Sequence, residues 1–205
     1  MVGGYHIDLG PNSASLSLHG VPPDILLPGA AIWSGEPLIR VGPRTIIIGR
    51  LFRRGTPSTS VLTIGQAEAD RLMDDRGRGL LGGYWGGYVV VHVGPDDAVR
   101  IFRDPSGLLP CYFRIGAEGV ALGGTILNLA APGPDAVDFP ELACILAGGD
   151  LRGRKTCLAG VEELIAGECL VFDRGRATTE PWWSPWDHVG GSGIGSEDAV
   201  VSLVT

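Results

Sequence analysis

Glycine and proline punctuate this chain everywhere. Thirty-three Gly and fifteen Pro in 205 residues are spread among apolar runs and not gathered in one tract, which is the pattern of short strands joined by tight turns. Any long helix would be broken, so the chain is expected to be rich in sheet. A composition 44% hydrophobic and 19% charged can build one compact core.

The runs themselves place the elements. Tyr5 to Leu9, Ala30 to Trp33, Pro37 to Val41 and Thr45 to Phe52 read as strands. Thr45, Ile46, Ile47 and Ile48 leave no polar side, which predicts a central strand buried on both faces. Gln66 to Asp75 reads as a short amphipathic helix ending at Gly77. Tyr84 to Val93 is a strand centred on Val89, Val90 and Val91. Val99 to Arg103 and Cys111 to Ile115 pair across the turn residues Asp104, Pro105, Ser106 and Gly107. Val120 to Leu122 adds a strand, and Asp138 with Glu141 three positions on forms a capping box for a helix running to Gly148. Cys169 to Asp173 is a late strand, followed by the cluster Trp182 to Trp186. Strands and helices grouped in this way predict two sheets covered by helices. Ile46, Ile47, Ile48, Val89, Val90, Val91, Ile101 and Phe102 are the expected core.

The net charge of −7 disfavours a polyanionic partner, so nucleic acid is not expected. No signal-like start and no run of about eighteen apolar residues predict a soluble, cytoplasmic protein with no membrane partner. Cys111, Cys144, Cys157 and Cys169 are isolated in sequence, with no CxxC pair and no histidine at ligand spacing, so buried free thiols are expected and no metal site.

Other chemical-looking patterns have plainer readings. Gly77, Gly79 and Gly82 spell GxGxxG, but they follow a helix and precede a strand, the reverse of a dinucleotide-binding turn. Gly82, Gly83, Gly86 and Gly87 are read instead as sites where two backbones approach within a sheet. Gly148, Gly153, Lys155 and Thr156 imitate a phosphate loop, with Arg154 where Lys is required and no strand leading in. Arg152, Arg154 and Lys155 are read as a solvated loop, and Asp74, Asp75, Asp96 and Asp97 as solvated turn or helix-end charges. His6, His19, His92 and His188 lie far apart and are assigned no role. No catalytic, cofactor-binding or metal-binding residue is therefore assigned.

Two stretches go further. The run RDPSGLLPCYF at residues 103–113 resembles the RDxxGxxPLYY hairpin of class II glutamine amidotransferase domains in asparagine synthetases. GLLGGYWGGYVVVH at 79–92 is similar to that family's LxGxFAFALYD strand. GVEELIAGECLVFD at 160–173, followed by Trp182 and Trp183, is similar to its PPGHxLxxD and YW elements. Within the family, WGGY, GLLPCYF and WWSPW are most similar to lasso peptide macrolactam synthetases.

The resemblance implies an α+β, four-layer αββα sandwich of the N-terminal nucleophile (Ntn) hydrolase type, built on two mostly antiparallel sheets. It implies a glutaminase-like domain over 1–188, with 189–205 as a linker (GGSGIGSED) and the start of a synthetase domain from Ser196. That domain would be the partner in the same polypeptide and would use ATP and Mg through the family's SGGxDSS pyrophosphate loop, which is not in this sequence. A precursor peptide and a peptidase are further implied partners, with no cofactor in this chain. Arg103, Asp104, Gly107 and Pro110 would be structural. Trp182, Trp183 and Trp186 would form an interface, packing partly on this domain and partly on its neighbour.

The departures predict a silent glutaminase. Where the family has a Cys after the initiator Met, supplying thiol and α-amine, this chain has Val2. The family's NGEIYN segment corresponds to residues 48–53, and Ile48 stands where its Asn would donate to an oxyanion. Its SDxE stretch has no counterpart in TIGQAEAD at 63–70. The competing expectations are a glutamine-hydrolysing domain that uses another Cys and a free-standing peptide-binding module.

Overall fold

The computed structural model describes residues 4–13, 18, 20–55, 59–73, 77–129, 136–149 and 153–188. Val2, His19, Asp74, Asp75, Arg152 and 189–205 lie outside the described residues.

Among the described residues, thirteen strands make two antiparallel sheets. The first has six strands: β1 (Tyr5–Leu9), β2 (Ile25–Leu27), β3 (Ala30–Ser34), β9 (Tyr112–Ile115), β10 (Val120–Gly123) and β11 (Glu162–Glu163), in the order β11-β9-β10-β1-β3-β2. The second has seven: β4 (Leu38–Val41), β5 (Thr45–Arg53), β6 (Thr59–Val61), β7 (Tyr84–Val93), β8 (Val99–Arg103), β12 (Glu168–Asp173) and β13 (Arg176–Pro181). Six of these run β13-β12-β8-β7-β5-β4, and β6 pairs with the far end of β5. The helices are α1 (Gln66–Met73), α2 (Arg78–Gly83) and α3 (Phe139–Gly148).

Side-chain alternation explains how one apolar run serves two cores. On β5, Ile46 and Ile48 join Val89, Val91, Ile101 and Leu170 against Ile7, Leu9, Ile32 and Leu122 of the other sheet. Ile47 points the opposite way and packs with Val90, Phe102, Ala69, Leu72 and Leu80 beneath α1 and α2. The continuous Ile run is thus buried on both faces, as expected. All eight residues predicted for the core are 2% exposed or less.

The described layers are helices, the seven-stranded sheet and the six-stranded sheet. α3 does not extend this layering. Half of the expected box is made, with Asp138 Oδ1 accepting from the Glu141 N–H at 3.0 Å, but the Asp138 N–H donates to the Cys157 carbonyl at 2.9 Å, and the helix buries no residue. The outer face of the six-stranded sheet is covered in part by loop, where the Trp33 indole donates to the Val21 carbonyl at 2.9 Å. No helix among the described residues is long and apolar enough to cross a membrane.

Several expectations are corrected. Gly82 and Gly83 lie in α2, and a Cβ at either would meet nothing within 4 Å, so neither serves a close backbone approach. Cys144 is exposed and Cys157 half-buried, although all four thiols are free and Cys111 and Cys169 are buried. Arg154 is not a solvated loop charge, because it reaches Glu168 at 2.6 Å and Glu162 at 3.8 Å. Val99 to Arg103 and Cys111 to Ile115, expected to pair, lie in different sheets. Asp96 and Asp97 are exposed turn residues, as expected, and pair with Arg100 and Arg44 at 2.7 and 2.8 Å.

His92 yields a pH prediction. It is half-buried on β7, 2.8 Å from Thr45 Oγ1, and burial first, then the nearby Arg100, push its pKa below the ordinary 6.5. The unfolded chain therefore takes up this proton at higher pH than the fold does. Stability tied to His92 is present at neutral pH and declines as pH falls below about 6.5. An NMR titration should place the His92 midpoint below that of an unstructured histidine. His92→Gln should flatten the fall in urea midpoint between neutral and mildly acidic pH.

Candidate functional site

The loop between β8 and β9 carries the densest polar network of the described chain. Arg103, at the end of β8, is 5% exposed, and its guanidinium is spent mainly on holding backbone. Nε donates to the Leu109 carbonyl at 3.0 Å, Nη2 to Gly107 at 3.0 Å, and Nη1 to Leu164 at 2.5 Å and to Glu163 Oε1 at 2.7 Å. A planar fork with five donors suits a task that a single ammonium could not perform.

Asp104 is 1% exposed. Its Oδ2 accepts from the Tyr88 N–H at 3.1 Å, and its Oδ1 from the Ser106 N–H at 2.8 Å and from the Ser106 hydroxyl. Gly107 has φ +65°, and a Cβ there would lie 3.1 Å from Ala166 Cβ, so glycine answers both the turn and the close approach. The Pro110 carbonyl accepts from the Tyr5 hydroxyl at 2.8 Å, which ties the loop to β1. Arg103, Asp104, Gly107 and Pro110 are thereby gathered into one structural unit.

The loop rests on glycines of β5 and β7. A Cβ at Gly87 would lie 2.9 Å from Leu108 Cβ, and one at Gly49 would lie 3.0 Å from Leu109 Cδ2. Gly86 and Gly87 therefore do serve a close approach, one against the Arg50 carbonyl and the other against the loop. Ile48, beside Gly49, has its side chain in the inter-sheet core.

The tryptophan cluster is divided. Trp182 is buried at 7% and packs on Phe102, ring centroids 4.8 Å apart. Trp183 is half-buried. Trp186 is 77% exposed in a short turn over Pro185–His188.

The two buried thiols, Cys111 and Cys169, are poorly placed for nucleophilic work. Burial pushes Cys111 up to about 11 and Cys169 up to about 12, so both are protonated at neutral pH. No group of three or more His, Cys, Asp or Glu that could hold a metal ion occurs among the described residues.

Among the described residues, two hollows flank the sheets. One of about 450 Å³ opens beside Asp8, Ser13, Arg114, Glu118 and Leu129. The other, about 170 Å³, is bounded by Arg54, Tyr84, Trp85, Tyr88, the Asp104–Ser106 turn and Trp183. Sequence reasoning missed this second site. Its walls come from Arg54 just past β5, from α2 and β7, from the β8–β9 loop and from the tail after β13, and the one local signal was the aromatic pair Tyr84 and Trp85 set among glycines.

No family model matches the chain, and no curated protein matches it. Among solved structures the chain is similar to the glutamine phosphoribosylpyrophosphate amidotransferase from B. subtilis complexed with ADP and GMP. The identity is 11% and the TM-score 0.42, over 88% of this chain and 43% of that one. It is also similar to a structure described as the allosteric regulatory enzyme of purine biosynthesis, at 12% identity and TM-score 0.42, over 88% and 43%. The chain spans less than half the length of these structures.

Proposed function

We propose that this chain is the glutaminase-like domain of an ATP-dependent amide ligase of the asparagine synthetase family, that its glutaminase site is silent, and that it works beside a synthetase domain. The four-layer αββα form and the specific likeness to lasso peptide macrolactam synthetases belong to the same reading. In such an enzyme a carboxyl side chain of a precursor peptide is activated and closed onto the peptide's own amine, so ammonia from glutamine is not needed.

The observation that carries the reading is the 103–113 segment, which crosses from β8 of the seven-stranded sheet to β9 of the six-stranded sheet. Its Arg, Asp and Gly stand at the positions of the family motif, and most of their hydrogen bonds go to backbone. Support for silence comes from Ile48, whose apolar side chain lies in the core where the family pattern calls for an oxyanion donor. The protonated thiols of Cys111 and Cys169 add to it.

The test is glutamate release from glutamine by the natural full-length protein. No turnover above background is expected. Val2→Cys, with removal of Met1 verified by mass, is expected to restore none, because a missing oxyanion donor alone costs on the order of a hundredfold to a thousandfold and an unanchored amide lacks orientation. Turnover in the wild type would overturn the silent reading. Turnover in the variant alone would show the rest of the site to be intact.

A further inference from the structure

From the 170 Å³ hollow at the end of β7 we infer a docking site for an acidic peptide, with one aromatic side chain of that peptide seated between Trp85 and Trp183 and an adjacent carboxylate on Arg54. The inference stands without the ligase reading, since it rests on the hollow alone.

Size selects the occupant. Small-molecule and cofactor sites begin at about 300 Å³, and a water takes about 30 Å³ of liquid volume. A hollow of about 170 Å³ is therefore too small for a cofactor and too large for a lone water. It suits one large side chain, which is how anchor residues dock at protein interfaces.

Each wall is held before anything binds. Trp85 stacks on Phe52 with centroids 4.7 Å apart and planes at 22°. The Trp183 N–H donates to the Gly167 carbonyl at 2.8 Å, and its ring lies where a Cβ on Gly167 would come within 3.2 Å. The Tyr84 hydroxyl donates to Glu68, which also takes both terminal nitrogens of Arg53 at 2.8 and 3.0 Å. Asp104 and Ser106 in the floor already hydrogen-bond to the Tyr88 N–H and the Gly86 carbonyl. What the hollow offers is therefore rigid aromatic surface, which a ligand can cover at little ordering cost.

Charge selects the rest of the peptide. Arg53 is already committed to Glu68. Arg54 is exposed at the mouth, and its hydrogen bond is a long one, 3.4 Å, to the Tyr84 carbonyl. Among the described residues no carboxylate pairs with Arg54, and this is in a chain of net charge −7.

The experiment titrates the full nitrogen-labelled chain with acetyl-Asp-Phe-Asp-amide, following the indole N–H resonances of Trp85 and Trp183 by NMR. Saturable shifts at both indoles are expected. Acetyl-Asp-Ala-Asp-amide should bind more than about tenfold more weakly, given what burying a Phe side chain contributes. Acetyl-Lys-Phe-Lys-amide should also bind more weakly. Arg54→Gln should weaken the acidic peptide by about twofold to fivefold, the range for an exposed ion pair, and Trp85→Ala should abolish the Trp183 shift. Absence of saturable shifts, equal binding of the alanine or lysine peptide, or an unchanged affinity in Arg54→Gln would each overturn the assignment.

Discussion

Arg103→Met is expected to cost about 3–5 kcal/mol of folding stability, as breaking a buried ion pair does when one partner is removed. The substitution keeps an unbranched side chain of similar reach, so little cavity opens. What it removes is the donor set. Glu163 loses a partner at 2.7 Å, and the carbonyls of Gly107, Leu109 and Leu164 lose theirs in surroundings where the arginine itself is 5% exposed. An unsatisfied buried acceptor costs about 1–3 kcal/mol, although the loop will relax and let water recover part of that. Against a total stability of about 5–15 kcal/mol this is a large fraction. The control is Arg100→Met, which breaks an ion pair to a half-exposed Asp96 and should cost no more than about 1 kcal/mol. Urea midpoints measured by circular dichroism decide between them, and equal midpoints for the two variants would refute the role given to Arg103.

Gly49→Ala should be about as damaging, for a reason that involves no polar group. Gly49 sits mid-strand at φ +108°, a conformation that L side chains rarely adopt. A methyl group there would run into the Gly87 carbonyl oxygen of the neighbouring strand and lie 3.2 Å from Tyr88 Cα and 3.0 Å from Leu109 Cδ2. Backbone strain of about 1–3 kcal/mol and overpacking of about 1–3 kcal/mol act together, since neither neighbouring backbone can move without breaking the β5–β7 ladder. We expect a loss of roughly 3 kcal/mol or more, read as a lowered urea midpoint. Gly82→Ala is the contrast. Gly82 lies in α2, and a methyl group there would meet nothing within 4 Å, so alanine should be neutral or slightly stabilising.

The sequence by itself determined the elements whose signals are local. The short β-branched Ile run, flanked by Gly42, Pro43 and Gly49, reads as a strand buried on both sides, because alternation puts successive side chains on opposite faces. Asp138 and Glu141 wrote a helix start in capping chemistry, and Asp104 to Gly107 wrote a turn. Their residues supply the hydrogen bonds that those elements need, whatever surrounds them. Tertiary structure decided what depends on distant partners. β13 reads Arg-Ala-Thr-Thr-Glu-Pro and lacks an apolar side, because it is an exposed edge whose strand form comes from pairing with β12. The two-residue β11 exists through its pairing with β9, about fifty positions away in the chain. α2 contains three glycines, poor helix formers, and holds its shape by burying Leu80 under β5 and β7. Arg154 looked solvated until folding brought Glu162 and Glu168 to it. The aromatic hollow is the furthest from local reading, since four segments separated by tens of residues must meet to enclose it, and contact between distant segments leaves no periodic trace in any one of them.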